Sequence, residues 1–208
     1  MKRLISSLAM AALGMSSTSY AADPLHEIQK KWAKCQYQSK DKDNQIYCFE
    51  NLIDINEKKL QVQSERQDLK VWLAINKSSL AGAKGGIGAL SLVKEAKKLL
   101  EEVIENAPET LDGSAYTSLG SLYYKVPGWP IGFGDDKKAE QMLKKALEIN
   151  PTGIDPNFFY GDFLAEEGDE QQAIVYLNKA LNAPARLDRP LADRGRKEEI
   201  AKRLGEIK

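Results

Sequence analysis

The apolar positions of this chain recur in short, evenly spaced sets. Ala96, Leu100 and Val103, then Ala139, Leu143 and Ala146, then Ala173, Leu177 and Ala180 repeat one spacing of four and three residues. That spacing lays each set along one face of a helix, with charged and polar residues filling the other faces. No stretch alternates with period two over a strand's length, so the pattern predicts essentially no sheet. Pro108, Pro151 and Pro184 follow the three sets. A residue that cannot donate the next helical hydrogen bond stops a helix there.

A second group of anchors precedes each set: Trp72 and Ile75, then Tyr116, Leu119, Gly120 and Tyr123, then Tyr160 and Gly161. Ala139 and Ala173 are 34 residues apart. This period and the order W-x2-L-G-x2-Y, A-x3-F, P resemble the tetratricopeptide repeat (TPR), a pair of antiparallel helices. A weaker first copy places Trp32 and Cys35 on one helix and Cys48, Leu52 and Ile55 on the next. Small Ala96, Ala139 and Ala173 allow close helix approach, and the leucines four residues on fill the space between pairs.

The reading is an all-α, right-handed α-solenoid of about four TPR-like helix pairs. They span about 29–62, 69–110, 113–153 and 154–187, and a capping helix follows over about 190–207. Ile200, Leu204 and Ile207 form the one-sided stripe expected of that cap. Long linkers, AGAKGGIGALS and KVPGWPIGFGD, divide the helices of the second and third pairs.

The first 21 residues follow a different pattern. Lys2 and Arg3 precede an apolar run from Leu4 to Met15, and Ser19-Tyr20-Ala21 is a small-residue cleavage site. This reads as a secretory signal peptide cut near Ala21, too short to span a bilayer. The expected destination is the periplasm or the exterior. In an oxidising compartment Cys35 and Cys48 are expected to pair, stapling the two helices of an edge repeat.

The composition, 42% hydrophobic and 29% charged, is that of a soluble globular chain. Lys+Arg and Asp+Glu are balanced at 30 each, and losing Lys2 and Arg3 leaves a slight acid excess. Nothing in that balance favours nucleic acid or an anionic membrane as partner.

Catalytic signals are sparse, and the expectation is that the protein is not an enzyme and has no cofactor. The single His26 lacks the neighbours of a metal site, so no metal centre is expected. The glycines of Gly82 to Gly88 follow a helix and lack the Lys-Ser/Thr that ends a phosphate loop, so the segment reads as an inter-helix turn. Asp41 and Asp135 or Asp136 read as helix caps, and the cluster Arg186, Arg189, Arg194 and Arg196 as a solvated face rather than a site for an anionic partner.

Binding is the better-supported activity. In such a solenoid the first helix of each pair lines the concave surface. Counting from the anchors places Tyr37, Leu73, Lys77, Thr117, Ser121, Tyr124, Phe158 and Asp162 there. That mixture suits an extended peptide or a small amphiphile, while Tyr124 and Phe158 are equally at home in a core. Trp129 and Phe133, on a loop stiffened by Pro127, Gly128, Pro130 and Gly132, either form a lid or partner-binding knob or seal the seam between repeats.

The blocks SLAGAKGGIGALSLVKEAKKLLE, DGSAYTSLGSLYYKVPGWPIGFGDDKKAEQMLKKALEINPTGIDPNFFYGDFL and RPLADRGRKEEI resemble exported bacterial TPR proteins. The group is distantly similar to the periplasmic T-component (TatT-type) associated with TRAP transporters. The resemblance implies a helical periplasmic scaffold that can oligomerise and serve a substrate-binding protein. The T-component carries a lipoprotein signal, and this leader has no Cys at its cleavage point. Two functions are thus expected: a periplasmic scaffold holding a protein or peptide in its concave groove, or an accessory or carrier for uptake of a small organic ligand.

Overall fold

Gly120 and Gly161 mark how closely the helices approach. A Cβ at Gly120 would lie 2.7 Å from Cγ of Leu143, and one at Gly161 would lie 2.9 Å from Cγ of Leu177. Only glycine lets a first helix press so near the leucine of the second. The computed structural model describes residues 23–86 and 88–207. The leader expected at residues 1–21 lies outside them.

The described residues form nine helices and no strand: α1 (Pro24–Tyr37), α2 (Lys42–Val62), α3 (Gln67–Lys84), α4 (Ala89–Asn106), α5 (Ser114–Lys125), α6 (Asp136–Ile149), α7 (Ile154–Glu166), α8 (Glu170–Leu181) and α9 (Pro190–Glu206). Consecutive helices pack as the pairs α1/α2, α3/α4, α5/α6 and α7/α8, and each pair packs on the next. The fold is an α-solenoid of helix pairs. None of these helices is long and apolar enough to cross a membrane.

The three sequence stripes become the spine of the fold. Ala96, Leu100, Val103, Ala139, Leu143, Ala146, Ala173, Leu177 and Ala180 are all fully buried. Burying one such leucine contributes about 2 kcal/mol. Asp41, Asp135 and Asp169 cap α2, α6 and α8 by accepting from the backbone N–H three residues on. At α5 the chain enters through Leu111, Asp112 and Gly113, all with positive φ.

The first pair is closed covalently by the Cys35–Cys48 disulfide, with Cα atoms 5.5 Å apart. It staples α1 to α2.

Two features differ from the sequence reading. The linker of the second pair is short, because α3 continues through Ala81-Gly82-Ala83-Lys84 and only residues 85–88 connect it to α4. Helical hydrogen bonding tolerates Gly82, and the turn waits for Gly85 and Gly86, where φ is +66° and +65°. In the α5–α6 loop the two aromatics take opposite fates. Phe133 packs edge-on against Tyr123 with centroids 5.9 Å apart. Trp129 is 90% exposed.

The last helix does more than cap. Ile200 is fully buried among Ile154, Phe158, Leu177 and Ala180, so α9 covers the α7/α8 pair. Its other side returns to the first helix, where Ala192 joins the cluster of Trp32 and Trp72. The end of the solenoid thus meets its beginning across the concave side.

Candidate functional site

α9 is held on α7 by charge as well as by apolar contact. Asp162 faces Nζ of Lys125 at 2.9 Å and Nε of Arg203 at 2.8 Å, and accepts from the Tyr124 hydroxyl at 2.8 Å. One carboxylate therefore ties α5, α7 and α9 together. Burial first, then the negative charge of Asp162, raise the pKa of the Tyr124 phenol well above its ordinary value, so it acts there as a fixed hydrogen-bond donor. Arg196 of α9 stacks over the rings of Phe158 and Phe159, 4.4 and 4.8 Å from their centroids.

Nearer the start of α9 a second ionic cluster forms around Asp155. Arg186 Nη1 donates to Asp155 Oδ2 at 2.7 Å, and Arg196 Nε to Asp155 Oδ1 at 3.0 Å. Arg186 Nε also donates to Asp193 at 2.6 Å, and Arg196 Nη1 to Glu199 at 2.6 Å. Burial alone would raise the pKa of Asp155. The charges of Arg196 and Arg186 outweigh it and hold the carboxyl well below the usual range. Arg186, Arg189 and Arg196 are therefore not the solvated face read from the sequence. Only Arg194 of that cluster is exposed.

What remains of the concave side is a chamber of about 1320 Å³ bounded by α1, α3, α5, α7 and α9. Its walls differ along their length. Trp72, Leu111, Ser114 and Asp155 line it near the N-terminal ends of α3, α5 and α7, together with Arg186 and Arg189. Ala83, Leu90, Val126, Pro127 and Ile131 line it toward the other ends, where the α3–α4 and α5–α6 connections lie. Both connections singled out in the sequence thus border one space.

The predicted groove residues divide accordingly. Thr117 and Ser121 line the chamber. Phe158 and Asp162 lie beneath α9, and Tyr124 is spent on Asp162. Tyr37 packs against Gly195 and donates to Glu199 at 3.3 Å. Leu73 is in the core, and Lys77 is buried between Glu57 of α2 and Glu95 of α4, at 2.9 and 2.8 Å. These six do not line the chamber, because α9 occupies the face on which a simple solenoid would leave them or because their helix turns them toward a neighbour.

Among the lining residues, sequence reasoning does not single out Phe159, treats Trp72 only as a repeat anchor, and weighs the arginine cluster as an anion site before favouring a solvated face. Trp72 carries a visible signal as a repeat anchor, which by itself reads wholly as packing. The arginines have only the weak signal of a charge cluster beside Pro190. Among the described residues, no group of three His, Cys, Asp or Glu is arranged to hold a metal ion.

Comparison with known proteins agrees with this architecture. A model described as tetratricopeptide repeat matches residues 131–152 and 154–185, covering α6 and the α7/α8 pair. No curated protein matches the chain. Among solved structures, a thermophilic TPR protein of Thermus thermophilus is similar at 19% identity and a TM-score of 0.52, over 88% of this chain and 94% of that one. At that identity the likeness speaks for the fold: a TPR-type solenoid.

Proposed function

We propose that this protein is an exported, non-catalytic binding module that holds a small organic ligand in the partly open chamber between its first helices and α9. The observation that carries the reading is the path of α9. By covering α7 and reaching α1 it narrows the groove to a partly open chamber. Solenoids of this type work through their concave surfaces, and a volume of about 1320 Å³ exceeds the roughly 300–1,000 Å³ of ordinary ligand pockets. The leader sequence supports export, and an accessory or carrier role in uptake is consistent with both. Native mass spectrometry of the purified protein tests it. A co-purified ligand, or thermal stabilisation by members of a panel of organic acids and lipids, is expected. A clean apo mass with no stabilisation by any of them would overturn the reading.

A second reading, a scaffold for a protein partner, is favoured by the α5–α6 loop. Trp129 and Ile131 are 90% and 63% exposed, and aromatic anchors of this kind dominate protein interfaces. Capture of partners from periplasmic extract should fail with Trp129→Ala if that loop is the contact, and persist unchanged if it is not.

A further inference from the structure

Three arginines face the polar end of the chamber, and their partners are unequal. Arg186 and Arg196 each make two carboxylate contacts. Among the described residues, no carboxylate lies within ion-pair distance of Arg189, and its buried Nε has no hydrogen-bond acceptor. The nearby Asp155 and Asp193 are already engaged by Arg186 and Arg196, and Asp188, which also borders the chamber, lies beyond ion-pair distance of Arg189. The Arg189 guanidinium instead lies over the Trp72 ring, 5.0 Å from its centroid. Trp72, 3% exposed, also has an orphaned donor: its indole Nε1 is buried with no acceptor.

Buried donors without acceptors are costly, about 1–3 kcal/mol each, and are rare unless something else satisfies them. Both side chains line the chamber, but Arg189 Nε and Trp72 Nε1 themselves have no accessible surface, so the group a ligand can reach is the outer edge of the Arg189 guanidinium. A guanidinium is a donor only, so the group that completes it is an acceptor, and an anionic one. Burial, and then the charge of Arg186, lower the pKa of Arg189 against the opposing pull of Asp155, Asp193 and Asp188. Arg189 is also the N-cap residue of α9, whose first turn receives no capping side chain. The positive end of that helix adds to the same field.

From this end the chamber runs along α3 past Ile75 and Ser79 toward Ala83. At 1.5 Å per residue, Trp72 to Ala83 is about 16 Å. The far end is bordered by the apolar Leu90, Val126 and Ile131. Lys125, which also borders the chamber, is already paired with Asp162 and Glu166. We propose that the chamber binds an elongated monocarboxylate, its acid group received by the guanidinium of Arg189, which the Trp72 ring supports, and its apolar chain lying toward the two connecting loops. This rests on the chamber reading above and specifies the ligand's chemical class and orientation.

Decanoate and decanol separate the head from the tail. Titration of the full mature protein, followed by calorimetry, is expected to show decanoate binding at least about tenfold more tightly than decanol. Arg189→Gln should remove that preference. Arg194→Gln, at the exposed arginine, should leave it intact. Equal binding of decanoate and decanol, or an unchanged preference in Arg189→Gln, would overturn the head-group assignment while leaving the chamber as a binding site. Binding of neither probe, together with a clean apo mass, would remove the chamber reading as well.

Discussion

Gly195 of α9 lies directly against the ring of Tyr37 in α1: a Cβ on Gly195 would sit 2.4 Å from the Tyr37 Cγ. This contact is where the end of the solenoid meets its start, and no larger residue fits without displacing one of the two helices. Gly195→Val should therefore destabilise the fold by about 1–3 kcal/mol. In a Trp129→Phe background the same substitution should also increase iodide quenching of the remaining Trp32 and Trp72, because both flank the closure. Urea denaturation and quenching read the two effects separately.

The Asp155 cluster makes a pH-dependent prediction. Its carboxyl is held below the unfolded value, so its stabilisation is present above the unfolded pKa and is lost as pH falls through the folded one. Asp155→Asn leaves Arg186 and Arg196 short of a counter-charge and should cost about 2 kcal/mol at neutral pH. That deficit should be constant above about pH 5 and shrink as the pH drops below about 4. Denaturation midpoints of the two proteins across that range check it.

The two aromatics of the α5–α6 loop should behave oppositely. Phe133 packs on Tyr123 and against the main core. Phe133→Ala is expected to cost about 1–3 kcal/mol. Trp129→Ala removes a side chain that touches solvent almost everywhere, and the change in stability should stay within about 0.5 kcal/mol. Thermal unfolding of both variants distinguishes the sealing residue from the exposed one.

Reduction of the Cys35–Cys48 bridge should lower stability by about 3 kcal/mol, chiefly by releasing the unfolded chain. Unfolding followed with and without reductant measures this. A thiol assay of the unfolded, unreduced protein should find no free cysteine.

Much of the fold was legible before any coordinate. The repeated four-and-three spacing of Ala96, Leu100 and Val103, and its two later copies, marked nine residues that are all fully buried. Spacing of this kind is local, and a helix turns it directly into a face that must be covered. The same holds for the caps at Asp41 and Asp135, each of which acts within three residues of itself. The length of α3 was less legible, since Gly82 looked like a linker residue and proved to be helical.

The site depended on what lies far apart in the chain. Thr117 and Ser121 face the chamber as their helix register implied, whereas Phe158 and Asp162 were taken over by α9, some forty residues further on. Whether Arg186, Arg189 and Arg196 point to water or to one another follows from where α9 docks, and docking depends on the summed surface of α1, α7 and α8. The sequence by itself determined helix faces, caps and repeat order, because these rest on contacts between near neighbours. Only the tertiary structure decided that the concave side is a chamber narrowed by α9, with Arg189 and Trp72 on its wall, because that contact joins residues that no local spacing relates.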